Sequence, residues 1–276
     1  MAPGGHGLRG PDLIHNVIQP GEPIPPAFWL FRSRENLMQE TTTKTEKPVV
    51  ALVMPTYGTI HGPAARALYV QPTMGAVHLI GWTMSDSSFL PGSFNQCLIW
   101  GLNLRDEGRA THLAMIHSDI EPIDVGWIDQ LYAEMQRTGA TVVSAISPIK
   151  NSEGKTSTAI AKRDDPWRIV RHIGIDERNT LPDTFGPKDV CGEDEVLLIN
   201  TGLWLADLRH PFWDTFQGFD TRCKIDREPA MGNQRRCFWR TEDWEWSRAM
   251  ADAGVEYRAT WTVLLHHHGQ AFWSNY

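Results

Sequence analysis

Short apolar runs separated by amphipathic stretches recur along the chain from Pro48 onward. VVALVMP (49–55), AVHLIGW (76–82), THLAMIH (111–117) and ATVVSAI (140–146) are rich in aliphatic and β-branched residues and read as buried strands. The segments between them predict helices: PAARALYV (63–70), SFNQCLIWGLNLRDEG (93–108) with Ser93 as its cap, and VGWIDQLYAEMQRTG (125–139) closing on Gly139. Strands that alternate with helices define an α/β fold, a mostly parallel central sheet with helices on both faces. Ligands of such sheets bind beyond the carboxyl ends of the strands, where PTYG (55–58) and HSDIEP (117–122) fall.

Composition changes the picture at both ends. Residues 1–47 are rich in Pro, Gly and polar residues and predict an extended arm, which leaves 48–276 as the folded domain. With 276 residues, 41% of them hydrophobic, the chain can bury a large core. It carries no apolar run of membrane-spanning length and no basic-then-apolar start, so a soluble, cytoplasmic protein is expected. Four cysteines without a CxxC pair imply free thiols rather than a zinc ribbon.

A net charge of −7 argues against a generally basic nucleic-acid binder. One local exception is the stretch 222–240, where Arg222, Lys224, Arg227, Arg235, Arg236 and Arg240 outnumber Asp226 and Glu228. GFDTRCKIDREPAMGNQRRCFWR (218–240) has few helix or strand signals and predicts a mobile loop that closes over a ligand. Its charge suits a diphosphate, an anionic carrier lipid or a nucleic-acid backbone.

The candidate chemistry begins with Asp119 and Glu121. In an extended segment alternate residues share one side, so both carboxylates can hold a hard divalent cation such as Mg²⁺ or Mn²⁺ while leaving positions open for phosphate oxygens. A solvated pair of loop carboxylates would look the same in sequence. TEDWEWSRAMADAG (241–254) predicts a helix capped by Thr241, with Glu242, Asp243 and Glu245 in its first turn and Gly254 at its end. Acids there complement the helix dipole with or without a catalytic role. WTVLLHHHGQAFW (261–273) is a strand-like run entering His266, His267 and His268, and neutral imidazole is a common metal ligand.

Taken in order, strand–PTYG, the SFNQCLIWGLN helix, strand–HSDIEP, NTGLWLADLR (200–209), TED and the terminal histidines resemble a GT-A-type glycosyltransferase of the family 2-like group, over about residues 48–270. The resemblance implies a nucleotide-binding part over about 48–150 and an acceptor and catalytic part over about 151–276. It implies a nucleotide-diphosphate sugar donor, UDP foremost, and Mn²⁺ or Mg²⁺ as cofactor. The resemblance leaves the acceptor open among a glycan, a lipid carrier, a protein and a hydroxymethylated DNA base. Asp119 and Glu121 match the DxD position, and His267 is the implied third metal ligand because the family reads His, any residue, Gly. Pro55, Thr56, Tyr57, Gly58, Asn95 and Ser118 fall at the nucleotide site, where Phe94 replaces the family's Arg. Asn200, Gly202 and Trp204 face sugar and acceptor, Trp204 as a stacking platform, and Trp239 can hold a flipped base. Glu242 and Asp243 match the acidic pair before the catalytic helix, with Asp243 the general base of an inverting transfer. Two other classes remain open from the residues alone: a non-catalytic nucleotide- or sugar-binding module, and a metal-dependent phosphohydrolase.

Overall fold

The computed structural model describes residues 47–151, 153–269 and 272–276; the arm expected over 1–47 lies outside the described residues except for Lys47. The first half of the chain contributes β1 (Val49–Thr56), α1 (Gly62–Tyr69), β2 (His78–Asp86), α2 (Leu90–Asp106), β3 (His112–Ile116), β4 (Ile120–Pro122), α3 (Trp127–Thr138) and β5 (Val142–Ala145). The second half contributes β6 (Lys155–Lys162), β7 (Ile169–Gly174), β8 (Thr184–Phe185), α4 (Pro187–Val190), β9 (Glu195–Leu198), β10 (Leu203–Asp207) and α5 (Phe212–Thr215). There follow β11 (Arg222–Glu228), β12 (Gln234–Arg240), α6 (Glu242–Asp252), β13 (Tyr257–Thr260), β14 (Leu265–His268) and β15 (Phe272–Ser274).

Seven strands form the central sheet in the order β2-β1-β3-β10-β5-β13-β8. Strands β2, β1, β3, β5 and β13 run one way, whereas β10 and β8 run against them. The expected mostly parallel sheet is therefore present, and the sequence did not reveal the reversed β10 at its centre. Alternation along β1 sorts the core into two layers. Val50, Leu52 and Met54 pack toward Ala64 and Leu68 of α1 and Trp127 and Leu131 of α3. Ala51 and Val53 face the other way, toward Phe94 and Leu98 of α2 and Trp246 and Met250 of α6. Helices thus cover both faces.

Two local expectations differ. Helix α2 begins at Leu90 rather than at Ser93, because Pro91 is accommodated in a first helical turn, and the buried Ser93 hydroxyl donates to the Thr56 carbonyl at 3.3 Å. The stretch 218–240 is a β-hairpin rather than a loop: β11 and β12 pair antiparallel from Arg222–Arg240 to Glu228–Gln234, reversing through Gly232 and Asn233 at φ of 66° and 62°. Its inner face rests on Trp167, with the Arg240 guanidinium 5.0 Å and the Lys224 ammonium 5.2 Å from the ring centroid.

A three-stranded sheet, β15-β14-β4, prolongs the end of β3. Buried Asn275 fastens it: its carbonyl oxygen accepts from Leu265 N at 3.0 Å, and its amide donates to the carbonyls of Ile146 and Val263, each at 3.0 Å. Asn275→Ala strands one donor and two acceptors in the interior, so a loss of about 2–4 kcal/mol is expected in chemical denaturation.

Candidate metal centre and active site

Strand β4 follows β3 after a tight turn in which Ile120 N donates to the His117 carbonyl at 3.2 Å. That turn contains Ser118 and Asp119, so Asp119 is not in extended backbone and does not share a partner set with Glu121. Asp119 Oδ2 meets Lys150 Nζ at 2.5 Å and lies 3.4 Å from His267 Nε2. Burial works to raise the Asp119 pKa. The His267 hydrogen bond and the nearby His117 and Lys150 more than offset it, holding the carboxyl well below the usual range.

Glu121 takes the other side. In the β4–β14 ladder it stands opposite His266, and alternation returns His268 to the same face. Glu121 Oε2 lies 3.1 Å from His266 Nδ1 and 2.8 Å from His268 Nε2. One ligand atom from each of Glu121, His266 and His268 falls within 4.8 Å of the others, a triad able to hold a metal ion. His267, the histidine that the resemblance selected, points the opposite way, with Nδ1 2.7 Å from the Pro148 carbonyl. The expected set of Asp119, Glu121 and His267 thus divides, and Lys150 already supplies Asp119 with a cation.

Beside the triad lies the loop after β1. Its conformation is held by Asp86 at the end of β2, whose Oδ1 accepts from Thr56 Oγ1 at 3.1 Å and from Gly58 N at 2.9 Å. Pro55, Tyr57, His61, His117, Ser118 and Asp119 border a cleft of about 200 Å³, and Tyr57 is 67% exposed there. His61 joins cleft and triad: its N–H donates to the Ser118 carbonyl at 2.9 Å, and its ring stacks on His268 with centroids 5.7 Å apart. Burial pushes the His117 imidazole down to about 4, so it stays neutral at the floor of this cleft. Sequence reasoning missed Asp86, His61 and Lys150. His61 carried a signal, three residues beyond PTYG, whereas Lys150 lies in coil with none.

Several expected ligand contacts are structural ties. Asn95 grips the backbone of Phe219, its amide donating to the carbonyl at 2.9 Å and its oxygen accepting the N–H at 2.7 Å. Phe94 is buried against His117 and Phe219, at 5.0 and 5.1 Å between centroids. Asn200 donates to the Ala145 carbonyl at 2.7 Å and accepts Gly202 N at 2.9 Å, while the Gly202 carbonyl accepts His117 N at 2.8 Å. Trp204 is no platform: fully buried, it packs against Trp246 at 4.9 Å and Phe219 at 6.3 Å. Trp204→Ala is expected to cost about 3–5 kcal/mol in chemical denaturation through the cavity it leaves. Trp239 is 56% exposed on the outer face of the hairpin.

The acidic pair opens α6. Thr241 sits at the cap position with extended backbone, and its hydroxyl bonds the Asp243 carboxylate, which also accepts Trp244 N at 2.9 Å. Burial, and then the adjacent Glu242, push Asp243 up to about 7; burial also raises Glu242, which reaches Thr221 Oγ1 at 3.5 Å. Ser247 Oγ accepts Ile199 N at 3.0 Å and donates to the Asp243 carbonyl at 2.7 Å, linking this turn to the 199–202 segment beside His117.

No family model matches the chain, and no curated protein is matched. Among solved structures it is similar to protein A197 from STIV at 11% identity, covering 80% of this chain and 85% of that one with a TM-score of 0.41. It is also similar to CMP:2-keto-3-deoxy-manno-octonic acid synthetase complexed with CTP, at 12% identity, 76% and 88% coverage and a TM-score of 0.38. A Bacillus anthracis protein assigned as a glucose-1-phosphate thymidylyltransferase follows at 10% identity, 79% and 89% coverage and a TM-score of 0.35. Likenesses of this size carry no information about substrate. Among the described residues no helix is long and apolar enough to cross a membrane.

Proposed function

We propose that the protein is a metal-dependent, inverting glycosyltransferase that moves a sugar from a nucleotide-diphosphate donor, UDP-linked in the first instance, to a hydroxyl acceptor. One observation supports this reading above the rest: the Glu121–His266–His268 triad adjoins, through His61, a cleft at the carboxyl ends of β1 and β3. A bound ion there supplies positive charge for the diphosphate. Of the two ions suggested by the sequence, two imidazole donors favour Mn²⁺ over Mg²⁺. Lys150 adds a cation beside the same cleft, and Tyr57 offers an exposed ring to the base.

In the transfer the acceptor oxygen forms a bond to C1 of the sugar while the bond from C1 to the diphosphate oxygen breaks, the electron pair leaving with the diphosphate. The acceptor proton goes to Asp243. A carboxylate with ordinary pKa is a weak base at neutral pH, and one raised to about 7 is matched to that task. Asp243 lies away from the triad residues in sequence and has its own hydrogen bonds, so charge compensation and proton removal are divided between separate groups.

The test is release of nucleoside diphosphate from a panel of nucleotide sugars in Mn²⁺, with and without hydroxyl acceptors. Acceptor-dependent release is expected. Release that ignores the acceptor indicates a phosphohydrolase, and donor binding without release indicates a binding module.

A further inference from the structure

Every second residue of the β11–β12 hairpin faces away from the body of the protein. Cys223, Ile225 and Arg227 on one strand and Arg235, Cys237 and Trp239 on the other are all exposed, Ile225 at 75%. Their register sets Cys223 opposite Trp239, Ile225 opposite Cys237, and Arg227 opposite Arg235. The outer face is therefore an apolar stripe that ends in two guanidiniums.

Like charges directly opposite each other on paired strands are destabilising, and a two-stranded hairpin has little stability to spare. The hairpin contains a second such pair, Arg222 opposite Arg240, and there the chain provides its own anion: Glu245 bonds Arg240 and lies 3.6 Å from Arg222. Arg227 donates to the Asn233 carbonyl at 3.0 Å, but among the described residues no carboxylate pairs with Arg227 or Arg235. Both acids of the two strands lie on the opposite face, Asp226 with Lys224 at 3.1 Å and Glu228 with Arg168 at 3.0 Å.

We propose that this outer face docks on an anionic phospholipid surface, with lipid phosphates between Arg227 and Arg235 and with Ile225 and Trp239 entering the headgroup zone. A nucleic-acid backbone would satisfy the arginines yet leave Ile225 and the thiol stripe in water. A bilayer surface accommodates both halves, since apolar area and cationic charge each add to interfacial binding. The site goes beyond the catalytic reading and does not depend on it.

Co-sedimentation of the full chain with phosphatidylcholine vesicles, with and without phosphatidylglycerol, tests the assignment. Binding to the anionic vesicles alone is expected, weakening as salt is raised. Ile225→Ser, and separately Arg227→Ala with Arg235→Ala, should each lower it about tenfold. All three positions are exposed, so an unchanged melting temperature confirms the fold of each variant. Absence of binding to either vesicle, or equal binding by the variants, overturns the proposal. Binding to a DNA duplex that the same variants abolish, without vesicle binding, replaces the lipid by nucleic acid.

Discussion

Glu121→Gln is expected to lower Mn²⁺ affinity by about 100-fold or more, because the substitution removes the one anionic ligand of the triad. His268→Ala should act similarly, and both effects are read by titration calorimetry of the purified chain. The informative control is His267→Ala. Its ring is engaged by the Pro148 carbonyl and Asp119 rather than by Glu121, so Mn²⁺ binding should persist. Loss of binding in His267→Ala with retention in His268→Ala would reverse the assignment and restore the sequence expectation.

The second large effect is at Asp243. Asp243→Asn keeps the shape of the α6 N-terminus and removes the proposed base, so turnover should fall roughly 100- to 10,000-fold while donor binding stays unchanged. The pH dependence follows from the raised pKa. Below about 7 Asp243 carries a proton and cannot accept another, so kcat/KM should fall as the medium is acidified through that value. Stability moves in the opposite sense. An unfolded Asp titrates near about 4, so the native state holds the extra proton between that pH and about 7, and stability declines as pH rises across the window. Asp243→Asn should shrink that slope to the part left by the neighbouring Glu242, which burial also raises, and this separates a loss of the carboxyl from a general loss of structure.

Much of the framework was legible because its signals are local. β1, β3 and β5 are apolar runs buried on both faces, and α3 ends on Gly139 with φ of 69°, a left-handed closure suited to glycine. β2 is longer and later than expected because, at the edge of the sheet, it mixes exposed and half-buried positions and loses the contrast of a core strand. The hairpin was unreadable for a related reason: both its faces carry charge, so its alternation separates Ile225 from Asp226 without marking either side as core.

At the site, the acids were legible and their geometry was not. Alternation puts Asp119 and Glu121 on one side only if the backbone is extended from one to the other, and the turn at Ser118–Asp119 removes that condition. The same alternation, applied to the histidine triplet, selects His266 and His268 together, which is how β14 presents them to Glu121. Trp204 misled for a different reason: amphipathic aromatics line sugar sites and fill cores alike, and only the packing of α6 against β10 decides between them.

The most direct measurement is thermal unfolding with a panel of nucleoside diphosphates, each with and without Mn²⁺. At a hundredfold excess over its dissociation constant, the right nucleotide stabilises the fold by about 2.7 kcal/mol, which is roughly 5–10 °C for a chain of this size. A shift of that order, for one nucleotide and only with Mn²⁺ present, is the expected result. Equal melting temperatures across the whole panel with metal present would contradict a metal-assisted nucleotide-sugar site.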